Sequence, residues 1–489
     1  MSLLKKLAGE TALYGLSSIL GRVLNMMLLV PLHTRTLRDT SDFGAVVDLY
    51  ATSAFLMVIL SYRMESAFFR FGTPKEDRDR AFSTGMLSIF SSTAIIALLL
   101  LVFAQPLADA LQYPNHPEYV RWFALILAFD CLAELPFARL RLEQRPIRFV
   151  TIRLTNIGVN ISLNLFWLWL CPLLAKQGHE WVRWVWSPEG GAGYVFLANV
   201  IASGVTLLLL LPEFFKVHFR FDTTMWKQMV GYAAPLIIVS LAGIVDEMFS
   251  RSMLKYLLPG TPKENLGQVG VFGANYKLAA LITLFTQAYR YAAEPFFFRH
   301  ADDKDALKTQ ADVTKWFTIA GATGMLGILL FLDLVKYFIA PKYHDGLHVV
   351  PVLLVANLLL GVYYNFSVWY RLKDRTGLGA WISIAGAAIT IVLNLIAIPK
   401  FGYTGAAYVT VICYAFMSWA TWYTGSKHYP VPYRLGRMFW YGASALGLAL
   451  IAAWITPELG PIARWALRLA FFGAYLGMVW RIELSKTPK

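Results

Sequence analysis

Residues 11–31 read TALYGLSSILGRVLNMMLLVP, and this stretch decides the fold of the 489-residue chain. It is long enough to cross a hydrocarbon core of about 30 Å as a helix that rises about 1.5 Å per residue. It nevertheless carries one charge, Arg22, in its middle. A short polar turn then leads into a further apolar segment, FGAVVDLY, at residues 43–50. The chain therefore opens with a helical hairpin that suits a membrane and places a cation inside it.

A second copy of this hairpin begins near Met229. Residues 229–253 read MVGYAAPLIIVSLAGIVDEMFSRSM, and residues 269–276 read VGVFGANY. Both returning segments carry a glycine and a tyrosine six residues apart. Internal repeats of this kind are common in transporters, whose binding sites lie at the interface between the repeated halves.

The composition is that of an integral membrane protein. Hydrophobic residues make up 57% of the chain and charged residues 15%, against about 45–50% and about 25% in soluble domains. No loop is large enough to fold as a soluble domain. The sequence predicts about fourteen transmembrane helices, at roughly residues 9–32, 43–66, 81–106, 117–140, 148–175, 192–214, 228–256, 268–296, 313–339, 347–370, 377–399, 403–426, 435–456 and 461–481.

The basic residues predict the topology. When loops are assigned alternately to the two sides, most Lys and Arg residues fall on one side, which predicts that both termini are cytoplasmic. Lys255 is assigned to a loop on the opposite, outer side. The net charge of +14 lies mainly in these short loops, so it predicts orientation and not a nucleic-acid partner.

The repeat predicts an all-α integral membrane protein with three parts. Residues 1–222 form a six-helix bundle, residues 223–430 form a second one, and residues 431–489 hold helices 13 and 14 with a short cytoplasmic tail. With six helices in each half, both copies begin on the same side of the membrane. The two bundles are therefore parallel repeats, related by a pseudo-two-fold axis along the membrane normal.

Charged residues inside the predicted spans are the candidate site residues, because a charge at the bilayer centre costs about 2.5–3.5 kcal/mol. Such groups should face the bundle interior or a water-filled cavity. Arg121 and Arg468 lie near span ends, from which their side chains can snorkel to the headgroups. The candidates for contacting an anionic substrate are Arg22, Arg153, Arg251 and Lys277.

Two further pairs stand four residues apart on one helix, Glu247 with Arg251 and Arg290 with Glu294. Side chains at this spacing can neutralise each other. For both pairs a structural role and a functional role remain open.

Carboxylates inside the spans allow two interpretations. They can pair with the cations, or they can bind a coupling proton or sodium ion, because poor solvation favours the protonated carboxyl. Both interpretations stay open for Asp48, Asp130, Glu134, Asp246 and Glu247.

No catalytic or metal-binding constellation stands out. The three cysteines lie in or beside apolar runs without metal-ligand spacing, and no Walker sequence or HExxH motif occurs. Asp303-Lys304-Asp305 matches the acid-x-acid spacing of some glycosyltransferases, but it lies in a short charged stretch that is typical of a solvated loop. A membrane-embedded glycan-modifying enzyme is therefore an alternative with little support, and no catalytic residue or cofactor is assigned.

The opening pattern, with Tyr14-Gly15, Arg22, Pro31 and Phe43-Gly44, resembles the polysaccharide-biosynthesis branch of the MOP (multidrug/oligosaccharidyl-lipid/polysaccharide) exporter superfamily. The stretch VGVFGANYKL, residues 269–278, is similar to the signature of that family's second half. The resemblance covers essentially the whole chain, and its motifs specify the superfamily better than the substrate.

The resemblance implies a Wzx-type flippase of the bacterial cytoplasmic (inner) membrane. Such a protein moves undecaprenyl-diphosphate-linked oligosaccharide, a repeat unit of O-antigen, capsule or exopolysaccharide, from the inner to the outer leaflet by alternating access. It further implies a V-shaped, MATE-like pair of bundles around a cationic cavity. Arg22 would line that cavity, with Arg251 as its counterpart in the second half. The implied partners are the lipid bilayer, a polysaccharide polymerase and chain-length machinery, without nucleic acid. Efflux of small cationic drugs by the same fold is the alternative within transport.

Overall fold

The computed structural model describes residues 19–218, 220–300, 303–455 and 458–485. Within these ranges the regular elements are helices. Eleven of them are long and apolar enough to cross a membrane. They are Thr40–Phe71, Lys75–Val102, Pro146–Lys176, Gly193–Phe214, Thr223–Leu257, Pro262–Phe298, Ala306–Leu330, Pro341–Leu372, Thr376–His428, Leu435–Ile455 and Pro461–Glu483.

These helices confirm the predicted all-α membrane fold. The helix Pro117–Leu142 corresponds to the fourth predicted span. The first predicted span is described from residue 19 and ends in the helix Val30–Thr36. Residues 1–18, with Tyr14, Gly15 and the basic residues behind the prediction for the amino terminus, lie outside the described residues.

Thr376–His428 is 53 residues long and holds two predicted spans. Its single non-helical residue is Gly402, at φ 59° and ψ −146°. This left-handed conformation suits glycine, which has no Cβ. A Cβ placed on Gly405 would lie 2.6 Å from the carbonyl oxygen of Ala397, eight residues earlier. In a straight helix these residues would be about 12 Å apart. The chain therefore reverses at Gly402 and forms a helical hairpin without a loop.

Local sequence signals set where several helices begin. The Asp39 carboxylate accepts a hydrogen bond from the amide of Asp42, and Asp222 does the same for Met225. Such N-caps satisfy backbone donors that the first helical turn leaves without partners. Proline is the first residue of Pro117–Leu142 and of several other helices, where its fixed φ is already helical.

By internal contacts the chain divides into two compact units, Met1–Gly270 (unit 1) and Val271–Lys489 (unit 2). In unit 1, Met64, Phe68 and Met229 are fully buried members of one hydrophobic core cluster. The predicted boundaries at residues 222 and 430, and the V-shaped arrangement of bundles, stay predictions.

The two copies of the opening hairpin share a local feature. One turn of π-helix, Asn25–Leu29, precedes the end of the first helix, and another, Val245–Phe249, precedes the end of Thr223–Leu257. Each helix then ends at a residue in extended conformation, Leu37 or Leu258. Single π-helical turns are frequent at functional sites.

The hairpins contact each other closely inside unit 1. A Cβ placed on Gly44 would overlap the carbonyl oxygen of Leu266, and one on Gly270 would overlap the carbonyl oxygen of Thr40. Backbones this close require glycine, as at small-residue helix crossings in membranes. Gly44 and Gly270 are the glycines that the repeat places six residues before Tyr50 and Tyr276.

Candidate functional site

Two neighbouring helices of unit 1 bring three predicted site residues together. Arg153 interacts electrostatically with both Asp130 and Glu134. Its guanidinium carbon lies 4.1 Å from the centroid of the Phe137 ring, and this cation–π contact holds the cation against the protein. Arg153 nevertheless remains exposed. We call Asp130, Glu134 and Arg153 the Arg153 cluster.

Glu65 extends this cluster, although the sequence did not single it out. The Glu134 side chain lies against the Glu65 carboxylate and the Ser61 hydroxyl. Glu65 also accepts a hydrogen bond from Arg141. Two carboxylates in contact repel each other when both are ionised, and Arg141 and Arg153 supply positive charge beside them. Glu65 was missed because it stands at the end of a predicted span, where charges are ordinary.

A second candidate site joins two helices of unit 1 through a buried ion pair. The Lys255 ammonium donates to Oδ2 of Asp48 at 2.8 Å, and the Tyr113 hydroxyl donates to the same oxygen at 2.7 Å. Lys255 also donates to the carbonyl oxygen of Leu111 and lies 3.7 Å from the centroid of the Tyr113 ring. The exposed fractions of the Lys255 and Asp48 side chains are only 1% and 2%. We call this group the Asp48 pair.

Burial, and next the charge of Asp48, raise the pKa of Tyr113 well above its usual value. The phenol therefore stays protonated and remains a hydrogen-bond donor. Charge pairing accounts for the environment of Asp48, while its role in ion coupling stays untested.

Lys255 does not lie in a loop, where the charge count had placed it, while its position on the outer side stays a prediction. Lys255 lies in the helix Ser250–Leu257 and is buried. A lysine beside an apolar run usually marks the membrane interface. Its partner Asp48 stands 207 residues away, so spacing along one helix could not reveal the pair.

Arg22 and Arg251 occupy different positions relative to the π-helical turns. Arg22 is exposed and stands three residues before the turn Asn25–Leu29. Arg251 is half-buried and follows the turn Val245–Phe249 by two residues. The structure therefore does not support Arg251 as the positional counterpart of Arg22.

The remaining predicted residues lie on these and other helices. Asp246 and Glu247 stand inside the π-helical turn Val245–Phe249, where Asp246 is buried and Glu247 is exposed. Lys277 is half-buried on the helix that begins at Pro262, and it belongs to unit 2. Their contribution to a substrate site stays a prediction.

A third charged site lies in unit 2. Arg290 donates to Oε1 of Glu294 from Nε at 3.1 Å and from Nη2 at 3.0 Å. Nη1 of Arg371 lies 2.9 Å from the same oxygen. The predicted pairing of Arg290 with Glu294 is therefore confirmed. Arg371 was missed because it comes from a different helix. We call these three residues the Glu294 site.

Within unit 2, ion pairs join the last helix, Pro461–Glu483, to the helix Ala306–Leu330 and to the segment that follows it. Arg468 does not snorkel as predicted, since its side chain is 10% exposed and donates to Asp333 at 2.7 Å. The ammonium of Lys315 lies 2.6 Å from Glu483. Although burial alone would raise the pKa of the Asp333 carboxyl, Arg468 lowers it below the usual value.

Enzyme-like motifs gain no support from the geometry of the described ranges. No group of three or more His, Cys, Asp or Glu residues there is arranged to hold a metal ion. Asp303-Lys304-Asp305 is exposed and precedes the helix Ala306–Leu330. Cys131, Cys171 and Cys413 are buried and form no disulfides.

No protein-family model matches the chain, and no curated protein is significantly similar to it in sequence. Solved structures of the same fold do exist. The lipid II flippase MurJ, in an inward closed conformation, is 12% identical with a TM-score of 0.72, and the match covers 96% of this chain and 99% of that one.

Two multidrug transporters of the MATE family are also similar in structure. An inward-facing member of the MOP superfamily is 14% identical with a TM-score of 0.62, covering 82% of this chain and 97% of the other. DinF-BH is 15% identical with a TM-score of 0.59, covering 88% and 97%. At these identities the comparisons establish the fold, which is that of MurJ and MATE transporters, in a multi-pass membrane protein.

Proposed function

We propose that this protein is a flippase for undecaprenyl-diphosphate-linked oligosaccharide, moving the headgroup from the cytoplasmic to the outer leaflet of a bacterial inner membrane. The observation that carries the proposal is the extent of the structural match. The lipid II flippase MurJ matches 96% of the chain, whereas the two MATE transporters match 82% and 88%. The difference is similar in size to residues 431–489, the predicted helices 13 and 14, which are about an eighth of the sequence.

The chemistry of the spans agrees with an anionic headgroup. A diphosphate must cross a region in which an unpaired charge is expensive. Arginine offers a planar fork of donors to phosphate oxygens and stays ionised when buried. In the proposed cycle Arg22 anchors the headgroup, and Arg153, Arg251 and Lys277 assist as the two predicted halves alternate their access. A small cationic drug would instead require acidic and aromatic walls.

Ion coupling is proposed at the Arg153 cluster. Glu134 lies against Glu65, so binding or loss of one proton changes the charge that Arg153 faces. Asp48 is the weaker coupling candidate, because Lys255 already neutralises it. Asp246 and Glu247 remain candidates through their position in a π-helical turn.

The test places purified protein in liposomes that carry a lipid-diphosphate oligosaccharide in both leaflets, with an impermeant glycosidase outside. Wild-type protein should make the inner-leaflet lipid accessible. Arg22→Ala should slow this exposure about tenfold or more, because charged hydrogen bonds contribute about 1.5–3 kcal/mol each. Arg121→Ala, which removes an exposed arginine near a helix end, is the matched control.

Equal rates for Arg22→Ala and Arg121→Ala would refute the anchoring role of Arg22. Suppose instead that the wild type exposes no lipid with several sugars under proton and sodium gradients, yet exports a cationic dye. The flippase proposal would then be wrong, and drug efflux by the same fold would replace it.

A further inference from the structure

The Glu294 site has more positive charge than a structural ion pair needs. Both guanidinium groups converge on one oxygen, Oε1 of Glu294, at 2.9 Å to 3.1 Å. One arginine is enough to neutralise one carboxylate. Two arginines on one carboxylate leave the group with a surplus charge of +1, which a second anionic group can neutralise.

The two arginines also retain donors for a ligand. Each guanidinium carries five N–H groups. Arg290 uses Nε and Nη2 for Glu294, while Arg371 uses Nη1 for Glu294 and Nη2 for the Ser367 hydroxyl at 3.3 Å. Nε of Arg371 is buried and has no hydrogen-bond acceptor among the described residues. A buried donor without an acceptor is unfavourable, and a phosphate oxygen would satisfy it.

The site is accessible, and its geometry is held in place. The exposed fractions of the side chains are 35% for Arg290, 32% for Glu294 and 25% for Arg371. The guanidinium carbon of Arg290 lies 4.0 Å from the centroid of the Tyr364 ring. This contact fixes the plane of the fork, which reduces the entropy lost when a ligand binds.

Its depth suits a lipid headgroup of the inner leaflet. Arg371 lies one residue before the end of the helix Val368–Leu372, and Glu294 lies five residues before the end of its own helix at Arg299. At about 1.5 Å per residue, Glu294 is roughly 8 Å from that end. The predicted topology puts both ends on the cytoplasmic side.

We propose that Arg290 and Arg371 form a phosphate-binding site for a lipid headgroup. Without ligand, the Glu294 carboxylate occupies donors of both guanidinium groups, and phosphate oxygens displace it on binding. The assignment of that phosphate to the diphosphate of the lipid-linked substrate rests on the function proposed above. The other source of the same chemistry is an anionic phospholipid of the inner leaflet.

The experiment measures binding of three probes to full-length protein in detergent: a short-chain polyprenyl diphosphate, the matching monophosphate and phosphatidylglycerol. Arg371→Gln should weaken diphosphate binding about tenfold or more. Lys373→Gln removes the same charge two residues later, from an exposed position, and should change the affinity less than about twofold. Arg371→Lys keeps the charge but loses the planar guanidinium group, so its affinity for the diphosphate should lie between those of wild type and Arg371→Gln.

Glu294→Gln separates the proposal from a purely structural ion pair. If the carboxylate competes with the ligand, its removal should tighten diphosphate binding several-fold. If the three residues only hold two helices together, Glu294→Gln and Arg371→Gln should lower thermal stability alike, and neither should raise the affinity for the diphosphate. An unchanged affinity in Arg371→Gln, or a loss in Glu294→Gln as large as that in Arg371→Gln, would overturn the proposal.

The probes also separate this site from the proposed transport. Binding that depends on Arg371, in a protein that flips no lipid in liposomes, supports the site and refutes the flippase. A preference for diphosphate over phosphatidylglycerol assigns the site to substrate, whereas equal affinities that both depend on Arg371 assign it to bilayer lipid.

Discussion

The Asp48 pair predicts a large loss of stability when one partner is removed. In Lys255→Met the Asp48 carboxylate keeps the hydrogen bond from Tyr113 but loses the ammonium at 2.8 Å. Because both side chains are at most 2% exposed, water cannot replace the lost partner. Breaking a buried pair from one side costs about 3–5 kcal/mol.

This energy converts to a change in melting temperature. The unfolding entropy is about 2.1 cal/mol/K per residue, so a unit as long as Met1–Gly270 that unfolds as one should melt about 5–9 °C lower. In the double variant Asp48→Asn/Lys255→Met no buried charge remains, and most of the loss should be recovered. Two neutral groups at a buried pair are often tolerated where one unpaired charge is not.

The assay is intrinsic-fluorescence melting of purified protein in one detergent at pH 7. Lys263→Met is the matched control, since the Lys263 side chain is 78% exposed and lies 3.3 Å from Asp39. Exposed pairs contribute about 0–1 kcal/mol, so the control should shift by less than about 2 °C. The reasoning fails if Lys255→Met melts no lower than Lys263→Met. It also fails if the loss of melting temperature in the double variant equals the sum of the losses in Asp48→Asn and Lys255→Met measured separately.

Two further predictions concern helix packing and pH. Gly44→Ala puts a methyl group into the carbonyl oxygen of Leu266 and should destabilise the protein by about 1–3 kcal/mol. Gly243→Ala should cost less in the same melting assay, because among the described residues no heavy atom beyond its chain neighbours and its own helix backbone lies within 4 Å of the new Cβ. Equal losses would contradict the close crossing. For Asp333 the folded-state pKa is lowered from the ordinary value of 3.8. Its pairing with Arg468 therefore stabilises the protein above about pH 4 and is lost as the pH falls through the lowered value. The melting difference between wild type and Asp333→Asn should be smaller near pH 3 than at pH 7, and a difference of equal size at both pH values would contradict this pH dependence.

The helices were largely predictable because a membrane span leaves a long apolar signature in the sequence. The apolar runs placed the spans, and residues 400–402 were correctly predicted as the break between two of them. Gly402 makes that break by taking a left-handed conformation. The composition could not show that the two helices are joined without a loop. The chain reversal at Gly402 depends on the close approach of Gly405 to Ala397.

The charged sites were predictable only where both partners share a helix. Arg290 and Glu294 stand four residues apart, and the structure pairs them. Arg371 and Lys255 were missed, since each reaches its carboxylate from another part of the chain. The sequence shows which side chains share one face of a helix, but it does not show which face meets a neighbouring helix.

The turn at Gly402 and the segment 176–191 should differ in how they tolerate inserted residues. On the predicted outer side, residues 176–191 contain only two short helices, Val182–Val185 and Pro188–Gly190, and Trp184 is 89% exposed. Lengthening such a surface segment has a small entropic cost. At Gly402 no loop residues can absorb an insertion, because the helix continues to the turn on both sides. An epitope tag or a protease site is therefore compatible with the first stretch, whereas one extra residue at the second would turn every later side chain of that helix by about 100°.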